Sequence, residues 1–191
     1  MTAQSCPCRY AGHIYGSQEV IKRGCSECRC SAAAWTCIER QCDATCSASG
    51  DPHYSTYDGL RYSYQGNCKY VLTQTKDKSF RVITENVQCG TSGVTCAKNI
   101  VIKYNSVTVS LTRGREPMVN DVEITDLILG RRVFGDVALM KSGLFVFVNS
   151  SDFTIKWDEK TRIYVTIHDS FKGQMAGLCG DFDGDSSGDL K

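Results

Sequence analysis

The sequence predicts an all-β protein in which a disulfide-stabilised, β-sandwich-like domain follows a small cysteine-rich module. Three observations support this prediction. Twelve cysteines stand among 191 residues, and eight of them fall within the first 46. From residue 60 onward, short runs of apolar residues alternate with other residues. No segment carries an apolar stripe of helical period over three turns, so helices are not expected.

The first 45 residues are predicted to form a separate module framed by disulfides. A short stretch so rich in cysteine cannot bury enough apolar surface, and it needs covalent cross-links. The spacing of Cys25, Cys28 and Cys30 also suggests zinc, but no second CxxC or histidine pair completes such a site. We therefore interpret the cysteines as disulfides, and disulfides predict a secreted, extracellular protein.

Residues 46–191 are predicted to form the larger β domain. Residues 100–104 and 107–111 have period two, and Asn105-Ser106 between them predicts a hairpin turn. The further runs predicted as strands are Val122–Leu129, Val133–Leu139, Leu144–Val148, Phe153–Trp157 and Ile163–Ile167. Many short strands at such close spacing are typical of a sandwich.

Charge and hydropathy argue against several classes of function. The net charge is +1 with mixed signs, which gives no support for nucleic-acid binding. The sequence contains no run of about 18 apolar residues, so no membrane span is predicted. The sequence contains no P-loop, dinucleotide fingerprint or Ser/His/Asp order, so no such motif predicts a turnover enzyme. Residues 1–4 lead into cysteines without an apolar signal segment, which favours a segment of a longer secreted chain.

An acidic loop near the end of the chain predicts a metal site. Asp181, Asp183, Asp185 and Asp189 place four carboxylates within nine residues. Carboxylates this dense repel one another, and a hard dication with oxygen ligands, such as calcium, compensates them. The string also resembles the start of an EF-hand, but Ser186 occupies the position of the EF-hand glycine.

Two distant motifs resemble one family. The stretch SGDPHYSTYDGLRYSYQGNCKYVLTQT at residues 49–75 is followed by GLCGDFDGDSSGDL at residues 177–190. Together they resemble a von Willebrand factor type D domain, as in von Willebrand factor, gel-forming mucins, zonadhesin and tectorin. Residues 1–45 resemble the E-type, VWC-like module that precedes such domains, and residues 46–191 resemble a type D domain truncated at its C-terminus.

The resemblance implies a disulfide pairing and a calcium site. The implied pairs are Cys8–Cys30, Cys25–Cys42, Cys28–Cys37, Cys46–Cys179 and Cys89–Cys96, which leaves Cys6 and Cys68 without an assigned partner. For calcium, Asp181, Asp183 and Asp189 would give side-chain oxygens and Asp185 its backbone carbonyl. Asp58 of the distant YDG motif would complete the shell.

The GDPH motif predicts self-cleavage between Asp51 and Pro52. The Asp51 carboxyl can attack its own carbonyl carbon, and the proline nitrogen is a relatively basic leaving group. His53 stands beside this bond as a proton donor. In several proteins that resemble this one, GDPH cleaves in this way. The alternative is a rigid turn, because Pro52 fixes its own φ and restricts Asp51.

The resemblance implies a non-enzymatic structural module of a secreted mucin- or von Willebrand-type glycoprotein that contributes to gel, matrix or adhesive assembly. Its implied partners are other modules of the same chain and other extracellular glycoproteins, and a disulfide-linked homo-oligomer stays open. A regulatory module that captures a growth factor or immunoglobulin is the alternative. Asn149-Ser150-Ser151 is the one glycosylation sequon.

Overall fold

A computed structural model describes residues 6–23, 25–38, 42–50, 53–88, 95–127 and 130–190, apart from the side chains of Cys96 and Ala97. The predicted all-β class is confirmed, since these residues contain many strands and no α-helix. The chain divides into two compact units, Met1–Cys42 and Asp43–Lys191. The predicted boundary after residue 45 falls inside a strand that begins at Ala44.

The N-terminal unit is built around its cysteines. Its strands are β1 Cys8–Tyr10, β2 His13–Tyr15, β3 Val20–Arg23, β4 Ser26–Ser31 and β5 Ala34–Ile38. Strands β1 and β2 form a hairpin, and β3, β4 and β5 form an antiparallel sheet. Three disulfides cross-link the unit, namely Cys8–Cys30, Cys25–Cys42 and Cys28–Cys37. Cys8, Cys28 and Cys30 are buried, so sulfur occupies much of the interior that a larger domain fills with aliphatic side chains.

The second unit contains two antiparallel sheets. Its first strands are β6 Ala44–Ser49, β7 His53–Ser55, β8 Arg61–Ser63, β9 Lys69–Thr75, β10 Phe80–Gln88, β11 Thr95–Tyr104, β12 Val107–Thr112 and β13 Met118–Val119. The others are β14 Val122–Glu123, β15 Arg132–Phe134, β16 Val137–Ser142, β17 Phe145–Asn149, β18 Phe153–Trp157, β19 Ile163–Ile167 and β20 Met175–Ala176. One sheet has the order β15-β16-β17-β18-β19-β6-β7-β8, and the other has the order β14-β13-β12-β11-β10-β9-β20.

The two sheets share one hydrophobic core. Every second residue of β18 and β19 is buried, from Phe153 to Trp157 and from Ile163 to Ile167. The ring of Phe153 stacks at 4.5 Å on Phe80, which comes from the other sheet. Burial of each such side chain stabilises the fold by about 1.5–3 kcal/mol. The period of two in the sequence therefore reports the inward face of a sandwich, as predicted.

Two predicted strands differ from those observed. The run Val133–Leu139 is a hairpin, because Gly135 adopts a φ of 55° and reverses the chain between β15 and β16. The run Val122–Leu129 is extended only at β14, and residues 128–129 lie outside the described part. Beyond β14, Ile124 and Leu127 are buried without a partner strand. Apolar content alone does not distinguish a strand from a buried turn.

Candidate metal centre

A tight turn presents Asp58. The amide of Thr56 donates to the Leu60 carbonyl at 2.9 Å, and the Leu60 amide donates to the Thr56 hydroxyl at 2.9 Å. Gly59 has a φ of 88°, which a residue with a side chain adopts at a cost of about 1 kcal/mol or more. This turn lies between β7 and β8, and it projects the Asp58 carboxylate toward the C-terminal loop.

The C-terminal loop, residues 177–190, is fastened to the edge of β9. The amides of Leu178 and Cys179 donate to the carbonyls of Val71 and Leu72. Gly177 allows this close approach, because a Cβ at its φ of 122° would stand 2.9 Å from both of those carbonyl oxygens. The disulfide Cys46–Cys179 ties the same point to β6. The acidic residues that follow therefore start from a fixed position.

The turn and the loop meet directly. The Tyr57 amide donates to the Cys179 carbonyl at 3.0 Å, and the Tyr57 ring packs 5.8 Å from the buried ring of Phe182. Phe182 has a φ of 56°, so its ring is buried at the cost of a strained backbone conformation. Placing the Phe182 ring inside turns its two neighbours, Asp181 and Asp183, toward the turn.

Three of the predicted carboxylates gather where the turn meets the loop. Asp58, Asp181 and Asp183 each offer an oxygen, and these oxygens lie within 4.8 Å of one another. Both oxygens of Asp58 accept backbone hydrogen bonds, one from Asp183 at 3.1 Å and one from Gly184 at 3.0 Å. These amides hold Asp58 in place and leave lone pairs of its oxygens for a further ligand.

Asp185 and Asp189 have other immediate partners. The Asp189 carboxylate is buried, and it accepts from the Thr56 hydroxyl at 2.6 Å and from the Asp181 amide at 3.4 Å. The Asp185 carboxylate accepts from the amide and hydroxyl of Ser187, both at 2.9 Å. The Asp185 carbonyl accepts from the Gly188 amide at 3.3 Å. Both residues shape the loop around the three gathered carboxylates.

The electrostatics of the cluster suit a cation. Desolvation raises the pKa of Asp58, and the charges of Asp189 and Asp183 raise it further against the two backbone hydrogen bonds. The Oδ1 atom of Asp181 is buried and has no hydrogen-bond partner in the described part of the chain. A buried carboxylate oxygen left in this way is costly unless an ion or a donor compensates it. The donor set therefore fits calcium, which prefers carboxylate and carbonyl oxygens.

The ammonium group of Lys172 lies near the loop. A Cβ at Gly184 would stand 3.4 Å from the Lys172 ammonium, which places that ammonium beside the acidic loop. Among the described residues, no ion pair joins a basic side chain to Asp58, Asp181, Asp183 or Asp189. Sequence reasoning missed Lys172, Thr56 and Phe182, since nothing in their spacing marks them.

A second cluster was not predicted. Asp43, His168 and Asp169 also offer ligand atoms within 4.8 Å of one another. The Asp169 amide donates to Asp43 at 3.1 Å, and His168 Nδ1 lies 2.9 Å from the Ser170 hydroxyl. These contacts cap the 3₁₀ turn Asp169–Phe171 at the protein surface.

The GDPH motif is only partly described. Asp51 and Pro52 lie outside the described residues, so their predicted role stays a prediction. His53 is exposed at the start of β7, and its Nδ1 lies 2.9 Å from the Ser63 hydroxyl. The predicted glycosylation residue Asn149 ends β17, and its side-chain carbonyl oxygen is buried.

The cysteines are arranged as follows. Four of the five pairs that the resemblance implied are present, and the fifth, Cys89–Cys96, lies outside the described residues. Cys6 and Cys68 form no disulfide within the described part of the chain, and Cys68 is exposed. None of the described residues forms a helix long and apolar enough to cross a bilayer.

The fold, the bridges and the acidic loop define a disulfide-built β-sandwich module. The family model for the von Willebrand factor type D domain matches residues 46–191. The chain belongs to this family, and its localisation is extracellular, as predicted. The match begins at residue 46, so the E-type assignment of residues 1–45 stays a prediction.

Relatives match nearly the whole chain. SCO-spondin of Gallus gallus is 38% identical over 190 residues, which is 98% of this chain and 4% of that protein. Mucin-5AC of Homo sapiens is 36% identical over 96% of this chain and 3% of its own length. Hemocytin of Bombyx mori is 33% identical over 99% of this chain and 6% of its own length. The chain thus spans only a small part of each of these relatives.

Proposed function

We propose that the chain is a non-enzymatic, calcium-binding structural module of a secreted mucin- or von Willebrand-type glycoprotein, and that it contributes to gel, matrix or adhesive assembly. The observation that carries the proposal is the convergence of Asp58, Asp181 and Asp183, with a buried oxygen of Asp181 lacking a partner. Family membership and the mucin relatives support the structural role.

The residues divide the work of the site. Asp58, Asp181, Asp183 and Asp189 would supply side-chain oxygens, and Asp185 its backbone carbonyl. Calcium, when bound, neutralises carboxylates that otherwise repel one another. Thr56 orients Asp189, and the amides of Asp183 and Gly184 orient Asp58. Because the ligands come from two segments, binding would fasten the C-terminal loop to the turn between β7 and β8.

A structural site does not need high affinity outside the cell. Extracellular modules bind calcium with dissociation constants of about 10⁻⁴–10⁻³ M, and extracellular calcium is near that range. Binding to the folded state alone adds stability by mass action. The proposed partners are other modules of the same chain and other glycoproteins, with Cys6 and Cys68 free for bridges outside this segment.

A thermal melt across a calcium titration tests the metal site. The oxidised wild-type chain should show a saturable rise in Tm above its value in EDTA, and Asp183→Ala should abolish that rise. Glu116→Ala is the matched control, because Glu116 is an exposed carboxylate outside the cluster. An unchanged calcium response in Asp183→Ala would exclude the ligand assignment.

A second candidate function is self-cleavage at the Asp51–Pro52 bond. The observation that favours it is the exposed ring of His53, the residue that follows Pro52. The Ser63 hydroxyl contacts this ring and orients it. In the proposed step, the Asp51 carboxylate attacks its own carbonyl carbon, and the bond to the Pro52 nitrogen breaks as the nitrogen takes a proton from His53. Water then opens the resulting anhydride. Cys46–Cys179 spans the cut and would keep the pieces joined.

Mildly acidic incubation followed by reducing electrophoresis tests this reaction. The wild-type chain should yield two fragments, with a new N-terminus at Pro52. Asp51→Asn should stop the reaction, because the amide is a poor nucleophile. Fragments that persist in Asp51→Asn would remove Asp51 from the mechanism.

A further inference from the structure

The outer face of β6, β7 and β8 carries an ordered set of polar side chains. Cross-strand pairing aligns them in two rows, Ser47–Ser55–Arg61 and Ser49–His53–Ser63. The residues that alternate with them on β6 and β7, namely Cys46, Ala48 and Tyr54, are buried on the opposite face. The register therefore gathers four serines, one arginine and one histidine from three strands on one surface.

These six side chains line a shallow pocket of about 450 Å³. Its volume lies within the range of about 300–1,000 Å³ that is usual for small-ligand sites. Tyr54 and Tyr62 also border the pocket, but Tyr54 is buried on the opposite face of the sheet, where the two rings stack at 5.2 Å. Their hydroxyls are engaged elsewhere, with Tyr54 accepting from Asn86 and Tyr62 donating to the Leu178 carbonyl. These contacts on the inner face fix the strands that carry the polar rows.

The pocket is positively charged and rich in free hydroxyl groups. Among the described residues, its lining holds the guanidinium of Arg61 and no carboxylate. Within the described ranges, Arg61 has no ion pair, and the hydroxyls of Ser47, Ser49 and Ser55 have no hydrogen-bond partner. The guanidinium fork matches an oxyanion bidentately, and a serine hydroxyl both donates and accepts.

We propose that this pocket binds an acidic saccharide, with its sulfate or carboxylate group on Arg61 and its hydroxyls on the serine rows. An oxyanion accounts for the unpaired guanidinium, and sugar hydroxyls match the neutral hydroxyls beside it. An extended peptide is a poorer match, because the pocket lies on the face of a sheet, where the backbone groups already pair within the ladder.

Catalysis by a serine nucleophile does not explain the same residues. His53 Nδ1 contacts the Ser63 hydroxyl, but no carboxylate among the described lining residues orients the histidine. A serine nucleophile normally depends on a base that a third group orients. The proposed binding site uses no calcium ligand, so it stands or falls separately from the metal site.

Binding of defined probes to the full oxidised chain tests the proposal. The probes are galactose 3-sulfate, sialyllactose, uncharged lactose, inorganic sulfate and a short polyglutamate peptide, each titrated by calorimetry with and without EDTA. At least one acidic saccharide should bind, lactose should bind weakly or not at all, and inorganic sulfate should bind more weakly than the acidic saccharide. Binding of only the sulfated or only the sialylated sugar would identify the oxyanion.

Substitutions connect binding to the pocket. Arg61→Gln should weaken binding of the acidic saccharide about ten- to hundredfold, as expected for loss of a charge-assisted contact. The affinity of Arg61→Lys should lie between those of the wild type and Arg61→Gln, because lysine keeps the charge but loses the bidentate guanidinium geometry. Arg113→Gln, at an exposed arginine outside the pocket, is the matched control and should bind as wild type. Equal binding by Arg61→Gln, tightest binding of polyglutamate, or equal binding of inorganic sulfate would each overturn the proposal.

Discussion

The hydroxyl of Thr56 donates a 2.6 Å hydrogen bond to the buried carboxylate of Asp189, across 133 residues of sequence. Thr56 is itself buried and also accepts the amide of Leu60, so it belongs to the turn that presents Asp58. The contact therefore connects the shape of that turn to the position of the acidic loop before any ion binds.

Thr56→Val should destabilise the chain by about 1–3 kcal/mol in EDTA, because a buried carboxylate loses a donor. Calcium affinity should fall as well, since Asp189 loses its orientation. Urea unfolding with and without calcium measures both effects. Thr45→Val removes an exposed hydroxyl pair with Thr166 and should change stability by less than about 0.5 kcal/mol. Equal effects of the two substitutions would contradict the role of Thr56.

Asp58 gives a pH-dependent prediction. Its pKa in the folded chain is raised, so its ionised form lowers stability, and this penalty disappears as pH falls through the folded pKa. In EDTA, the wild type should therefore gain stability relative to Asp58→Asn as pH falls from about 7 towards about 4. In calcium, a fall in pH should weaken ion binding, because protons compete with the ion for Asp58. The calcium-induced rise in Tm should therefore shrink. A stability difference that does not change with pH would exclude this role.

The strands were predictable where one face is buried throughout. The strands Phe153–Trp157 and Ile163–Ile167 were predicted correctly, because every second residue of each is buried in the core. The hairpin within Val133–Leu139 escaped notice, because one glycine reverses a run that is otherwise largely apolar. Turn geometry depends on φ at Gly135, and composition does not report it.

The site was predictable in part for a similar reason. Carboxylate spacing pointed to the acidic loop, whereas Asp58 was implied only by the family resemblance. The sequence does not indicate that Asp185 turns onto Ser187, because Asp can cap a turn as readily as it binds an ion. The serine rows depend on the register of three strands, which no local pattern fixes.

Gly180 is predicted to be essential to the loop. Its φ is 79°, and a Cβ there would collide with the Asp189 carboxylate. Gly114 has a φ of 76° but opens onto free space, so it is a matched control. Gly114→Ala should cost about 1–2 kcal/mol for the left-handed backbone alone. Gly180→Ala should cost more and should also weaken calcium binding, as unfolding and calcium titration would show. Equal costs would mean that Asp189 moves aside freely.

The disulfide Cys46–Cys179 should support both stability and binding. It joins residues 133 apart, and closing a loop of this size contributes about 4–5 kcal/mol in the chain-entropy model. Cys46→Ala/Cys179→Ala should therefore unfold at lower urea and bind calcium more weakly, because the loop loses its tether. Cys28→Ala/Cys37→Ala removes a bridge from the N-terminal unit and should leave calcium affinity unchanged. Unchanged affinity in the first double variant would contradict the tethering role.

Lys172 should act as a built-in counter-ion of the acidic loop. Its ammonium lies beside Gly184, where it offsets part of the negative charge without filling the cluster. Lys172→Met should therefore lower stability in EDTA by less than about 1 kcal/mol, as expected for an exposed charge. The same change should tighten calcium binding roughly two- to fivefold, because the ion no longer meets a neighbouring cation. Lys172→Arg retains the charge and should match the wild type in both assays. A variant that loses stability in EDTA without gaining calcium affinity would show that Lys172 only packs against the loop.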